Sequence, residues 1–201
     1  MKSLSLTISF AIIALSAMAQ DRSDAAAKEA LAKFAKLQEV QPSKNQNLGD
    51  PSVWRLGTPI KTAIIPLDKL REYKAGDPAT QVIQANENIL IYPVINSRTQ
   101  QVITAITLEN TKGSWKATSF GRETAVARKI DSLKAGDKDF TLVKLLAFNL
   151  NFLSYSDGGT LQFVPLQDDK ERGITIGRPI PAAQLIDRYV QAAKAYNGLP
   201  L

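Results

Sequence analysis

The chain contains no cysteine, so no disulfide can hold its fold and a packed core must do so alone. The N-terminus makes that constraint sharper. Lys2 supplies a short positive segment, Leu4 to Leu15 an apolar run with small polar interruptions, and Ala17-Met18-Ala19 an A-x-A cleavage pattern. That order predicts a secretory signal peptide over residues 1–19, with Gln20 as the first mature residue. The apolar run is too short to span a bilayer, and no other stretch reaches the roughly 18 apolar residues a membrane helix needs. The mature chain is therefore predicted to have no membrane span and to be exported, periplasmic or extracellular. Export without disulfides points to a bacterial envelope or medium.

Composition narrows the chemistry. The 201 residues carry 25 Lys+Arg against 19 Asp+Glu, a net charge of +6, with 44% hydrophobic and 22% charged residues and no histidine. This is the balance of an ordinary globular domain. Without cysteine there is no thiol nucleophile, Fe–S cluster or covalent c-type haem. Without histidine there is no Ser-His-Asp triad, histidine metal site or histidine pH switch. No cofactor and no metal are expected.

Periodicity sets the elements. Ser23 to Val40 reads as a first helix, capped by Ser23 or Asp24, with Ala27, Ala30, Leu31, Phe34 and Leu37 on one apolar stripe. Its Lys28, Lys33 and Lys36 lie mostly off the stripe, as on a solvated face. Residues 41–53 are a polar loop. Trp54 to Ile65 reads as a strand entered through a turn, and Pro66 starts a short helix ending near Tyr73. Gly49-Asp50-Pro51 and Gly76-Asp77-Pro78 share capping grammar, and a second short helix is expected over Pro78 to Gln84. Three strands follow, Asn88 to Ile95, Val102 to Leu108 and Ser114 to Phe120, spaced as antiparallel hairpins. Pro93 inside the first of them predicts a bulge or an edge. Arg122 to Lys134 is a helix, and Phe140 to Tyr155 a long alternating strand. Ser156-Asp157-Gly158-Gly159 is a hairpin turn, Thr160 to Leu166 the return strand, and Gln167 to Arg172 a charged loop. The last helix begins near Pro181, buries Leu185, Ile186, Tyr189, Val190, Ala193 and Tyr196, and stops at Asn197-Gly198.

The pattern is α+β: an antiparallel sheet with helices packed on it. Leu56-Gly57-Thr58-Pro59-Ile60 and Ile176-Gly177-Arg178-Pro179-Ile180 share Gly-x-Pro-Ile. Such an echo would mark two similar α-plus-hairpin halves, 20–120 and 121–201, within a single domain over 20–201.

The remaining chemistries have little to stand on. A glycosidase needs two carboxylates across a cleft, and nothing singles out a pair among Glu87, Glu109, Glu123, Asp131, Asp157 and Asp187. A Ser-Lys pair would draw on Ser114, Ser119 or Ser156 with Lys112, Lys116 or Lys129, but no nucleophile elbow and no Ser-x-x-Lys occurs after residue 19. Asp157 and the Asp168, Asp169, Glu171 group lack the alternation of an EF-hand loop. Gly173 and Gly177 lack the rest of a phosphate loop. Basic residues are dispersed and not interleaved with aromatics, so no nucleic acid is expected. The amphipathic rings Trp54, Tyr92, Trp115 and Tyr155 are the candidate binding residues, able to stack on a sugar or grip a peptide, although large aromatics are as readily core plugs.

In order, the N-terminal helix, Leu56-Gly57-x-Pro59, Ile91-Tyr92-Pro93-Val94, Gly113-Ser-Trp115-Lys116, Phe120-Gly121 and Tyr155-Ser-Asp-Gly-Gly159 resemble a group of exported bacterial proteins with no assigned activity. The resemblance covers most of residues 25–198, rests on turn and core residues, and implies no catalytic residue. At the level of fold the arrangement is also similar to cystatin-like and protease-propeptide modules. The leading expectation is an exported, non-enzymatic binding module for a peptide, protein or anionic envelope polymer, accepting a partner strand at an edge opened by Pro93. The alternatives are a histidine-free hydrolase using paired carboxylates or Ser-Lys, and an inhibitor or folding helper of an exported protease.

Overall fold

The computed structural model describes residues 5–40, 48–133 and 138–196, with side chains from residue 20 onward. The elements are α1 (Ser5–Val40), β1 (Trp54–Leu56), β2 (Ile60–Ile64), α2 (Leu67–Glu72), β3 (Gln84–Asn96), β4 (Val102–Thr111), β5 (Ser114–Phe120), α3 (Thr124–Ser132), β6 (Thr141–Leu145), β7 (Leu150–Asp157), β8 (Thr160–Pro165), β9 (Ile180–Pro181) and α4 (Ala182–Ala195). These nine strands and four α-helices, counted among the described residues, are α+β, with mostly antiparallel pairing. The chain divides into two compact units: Met1–Thr58 with Leu90–Thr124, and Pro59–Ile89 with Ala125–Leu201. The division is not the sequential one at residue 120, because residues 59–89 join the second unit. Both Pro-Ile echoes open second-unit strands, β2 before α2 and β9 before α4. Their backbones differ, since Gly177 has φ +74° and Gly57 is not in the positive-φ region.

In the first unit, β5 pairs with β4, β4 with β3, and β1 with β3. Helix α1 starts well before Ser23, so Ser23 is not a cap. It is fully buried, and its hydroxyl donates to the Gln20 carbonyl at 2.9 Å, as serines inside helices do. The apolar stripe buries Ala27 and Ala30 and packs Leu31 and Phe34 against Trp54, Tyr92, Val94, Ile106 and Leu108. The stripe ends there, because Leu37 is 59% exposed.

The expected edge at Pro93 is corrected. Pro93 is buried within β3. The β1 register places Leu56 opposite Val94, and the Gly57 N–H donates to the Pro93 carbonyl at 2.8 Å. Proline has no N–H to return that bond, so the β1 ladder stops at this pair. Pro93 thus ends a ladder that is already covered and opens no edge. The approach is close: a Cβ on Gly57 would meet Ile95 Cδ1 at 2.7 Å and Pro93 Cβ at 3.4 Å, so the Ile95 side chain would have to turn aside. A bulge falls in the β4–β5 pair, between Thr107 and Leu108.

In the second unit, β2 runs parallel to β6, and β6, β7, β8 and β9 follow as antiparallel neighbours. Thr62 of β2 donates to the carbonyls of Asn86 and Ile89 at 3.3 and 3.2 Å. Leu185, Ile186, Tyr189 and Ala193 of α4 bury against Phe152, Phe163, Leu145 and Leu70. The single strand expected over Phe140 to Tyr155 is corrected to a hairpin. β6 and β7 pair antiparallel with Leu145 opposite Leu150. A 3-10 turn at Leu146–Phe148 and left-handed Asn149, at φ +52°, reverse the chain. Asparagine is one of the few residues that enters this region readily. The apolar alternation runs on through the turn and hides it.

The other hairpin is where the glycines place it: Asp157 faces Thr160, and Gly158 and Gly159 carry φ of +55° and +80°. Asp50 caps its turn by accepting from Ser52 N–H at 2.9 Å. Asp77 does not. It accepts from Lys74 N–H at 3.2 Å, and the helix expected over Pro78 to Gln84 is a single turn, Ala79–Gln81. The loop at 41–47 and the Asn197-Gly198 stop lie outside the described residues.

Candidate functional site

A concavity of about 870 Å³ lies in the second unit. Its two walls are the β6–β7 turn, Leu146 to Leu150, and the loop Asp168 to Arg172, with Tyr196 closing one side. Hairpin geometry aims the first wall. The second is shaped by Asp169, which accepts from Arg172 N–H at 3.3 Å, and by Gly173 in the left-handed region at φ +64°.

Asp169 is the node of the cleft. Its Oδ2 accepts from the Tyr189 hydroxyl and from the Arg172 guanidinium, each at 2.9 Å. Burial pushes its carboxyl pKa up, but the bonds from Tyr189 and Arg172 together outweigh burial and hold it below the usual carboxylate value. Burial and the neighbouring Asp169 raise the Tyr189 phenol well above its usual value. The Arg172 guanidinium lies over two rings, 5.6 Å from the Phe148 centroid and 5.2 Å from Tyr189. Arg188 donates to the carbonyls of Arg172 and Gly173 at 3.0 and 3.1 Å, fixing the loop from behind. Asp168 accepts from Ile176 N–H at 2.7 Å. Both aspartates therefore hold the loop. Asp169, held ionised and bonded through both oxygens, is poorly suited to transfer protons near neutral pH. The surface left for a ligand is Leu146, 64% exposed, beside the rings of Phe148 and Tyr196, whose centroids are 5.8 Å apart.

Another concavity, about 450 Å³, lies in the first unit between α1 and β5. Ala26, Ala30, Ala117 and Trp115 line it, with Glu29 and Lys33 paired at 2.5 Å on its rim.

The four candidate aromatics are not brought together. Trp54 is a core residue, stacked on Phe34 with centroids 5.6 Å apart and donating from Nε1 to the Leu48 carbonyl at 3.2 Å. Tyr92 is 2% exposed. Its hydroxyl donates to Asp24 at 2.6 Å and lies 2.8 Å from the Ser23 hydroxyl, and burial with the Asp24 bond raises its pKa far above the usual phenol value. Trp115 reaches the α1–β5 groove. Tyr155 belongs to the second unit, with Lys138 Nζ 4.4 Å above its ring and Phe140 beside it at 5.4 Å. Trp54 and Tyr92 are thus core plugs rather than groove residues.

The candidate acids are likewise apart from the cleft. None of Glu87, Glu109, Glu123, Asp131, Asp157 and Asp187 lines it, and Asp157 pairs with Lys138 at 3.3 Å. Ser119 Oγ is buried without a hydrogen-bond partner, opposite Thr107, so no base reaches it. Among the described residues no group of three acids is placed to hold a metal ion. No described helix is long and apolar enough to cross a membrane.

Sequence reasoning missed Phe148, Arg172, Tyr189 and Tyr196 as a site. Phe148 and Tyr189 read as core by their spacing, and Arg172 as one charge in a solvated run. The available signal was Asn149, the turn-forming residue in an otherwise apolar alternation. Comparison of the chain with family models, curated proteins and solved structures finds no match.

Proposed function

We propose that the chain is an exported, non-enzymatic binding module whose contact surface is the second-unit cleft. The observation that carries this reading is the combination of bonded carboxylates with an open apolar rim. Asp168 and Asp169 are occupied in holding the loop, while Leu146 stands exposed beside Phe148 and Tyr196. Apolar and aromatic surface with a few fixed polar groups is the usual make-up of a recognition site. The ligand that fits is a peptide segment of another envelope protein. An anionic polymer fits this cleft less well, because Asp168 and Glu171 share its rim with Lys170. Strand addition at Pro93 is no part of the proposal, since β1 and β4 flank β3 there.

The test is selection of a random peptide library on the protein, followed by titration of enriched peptides against Leu146→Asp. Loss of binding in that variant, with an unchanged circular dichroism spectrum, supports the cleft. Undiminished binding refutes it. Export is tested separately by fractionating cells and sequencing the N-terminus, which is expected to begin at Gln20. A protein retained in the cytosol with residues 1–19 intact would overturn that part.

A further inference from the structure

We infer that the outer edge of β5 is a second binding site, which accepts an extended peptide carrying an acidic residue between two apolar ones. The site lies in the first unit and is independent of the second-unit cleft, so either can fail without the other.

The β4–β5 turn sets the hydrogen-bonding pattern along β5. Lys112 and Gly113 both have positive φ, +54° and +82°, and Thr111 faces Ser114 across them. In such a two-residue hairpin the flanking pair is hydrogen-bonded, and hydrogen-bonded pairs then alternate along the ladder. Glu109 and Lys116 form the next bonded pair, while Trp115 and Ala117 stand opposite Asn110 and Leu108 in non-bonded pairs. The N–H and C=O of Trp115 and Ala117 therefore point away from β4. β5 is the terminal strand at its end of the sheet, so these groups face outward as a free edge. The same two residues line the α1–β5 groove with Ala26 and Ala30. Backbone pairing and side-chain pockets thus coincide, which is what strand addition requires.

Register then specifies the occupant. An incoming antiparallel strand bonds to Trp115 and Ala117, and its residues opposite them turn toward α1, where three alanines leave room beside the Trp115 ring. Those two positions call for medium apolar side chains. The residue between them faces Lys116 in a pair without mutual hydrogen bonds, where side chains come closest. Glu29 and Lys33 neutralise one another on the groove rim. On the other face Lys116 is exposed, makes no ion pair among the described residues, and has Glu109 on its inner side. An acid on the outer side completes an alternating Glu–Lys–acid ladder.

The same charge disfavours a second copy, since twofold pairing of β5 with itself centred on Lys116 sets two lysines face to face. The bulge that makes Thr118 the unmatched residue of β5 shortens the open ladder further.

The experiment titrates the full chain with a synthetic extended peptide centred on Val-Glu-Val, with Val-Lys-Val as its partner control. The readouts are backbone amide shifts and calorimetry. The Val-Glu-Val peptide is expected to shift the amides of Trp115 and Ala117 and to bind roughly fivefold or more tightly than the lysine peptide. Lys116→Glu should reverse the preference. N-methylation of the peptide amides that pair with β5 should abolish binding with the protein untouched. Ala117→Pro, at an edge N–H that β4 does not use, should do the same without loss of fold. Equal affinity for the two peptides, shifts elsewhere, absence of binding, or a β5-mediated dimer in sedimentation would each overturn the proposal.

Discussion

Replacing Asp169 by asparagine tests whether the acids of the second-unit cleft hold structure. The side chain keeps its shape and loses its charge. Asp169 is 11% exposed and accepts from Tyr189 and from Arg172, which is 22% exposed. A hydrogen bond to a charged group contributes about 1.5–3 kcal/mol, against about 1 for a neutral pair. Asparagine can still accept from Tyr189 through its carbonyl oxygen, but the Arg172 ion pair is lost beside two rings. The net cost is about 2 kcal/mol. For a chain of this length that lowers Tm by roughly 4–8 °C. The assay is thermal unfolding by circular dichroism over a pH series. The folded-state pKa of Asp169 is lowered, so its contribution is complete above the unfolded value near about pH 4 and is lost as pH falls through the folded one. The gap between wild type and Asp169→Asn should be full at neutral pH and close in strong acid, where the wild-type carboxyl is itself protonated. A gap that persists unchanged into strong acid, or no gap at neutral pH, would show that the Asp169 charge does not hold the loop.

Other perturbations follow from the same structure. Tyr92→Phe removes the hydroxyl that links Asp24 and Ser23 and should cost about 1–2 kcal/mol, measurable by urea denaturation. Gly159→Ala has open space around its Cβ but a φ of +80°, so its cost is backbone strain alone, about 1–2 kcal/mol, checked in the same way. Leu185→Ala, at a fully buried position of α4, should cost about 2–5 kcal/mol by leaving a cavity, visible as the largest fall in urea midpoint of the set.

Local signals were the legible ones. The Gly158-Gly159 turn, the amphipathic α4 and the β4–β5 hairpin each carry their cause in a few adjacent residues. What was hidden depended on distant partners. Pro93 reads as an edge until Gly57 arrives beside it. Phe140 to Tyr155 reads as one strand because Leu146 and Phe148 keep the period of two through a turn that only Asn149 marks. Ser23 reads as a cap, yet its hydroxyl is occupied by Gln20 and Tyr92 inside a longer helix. The cleft was obscured for a related reason: Asp169, Arg172 and Tyr189 are bland in sequence and acquire a role only when α4 packs beneath the loop. Trp115 is the one candidate aromatic to reach a groove, and Ala30 opposite it on α1 reads in the sequence only as part of the apolar stripe.

Whether the second-unit cleft binds without catalysis is read from an amide-shift titration of the full chain with a peptide selected on it. Saturable shifts concentrated in residues 146–150 and 168–172 are expected, with the peptide recovered uncleaved. Shifts centred elsewhere in the second unit, or conversion of the peptide to products, would contradict a binding cleft whose Asp168 and Asp169 serve the fold.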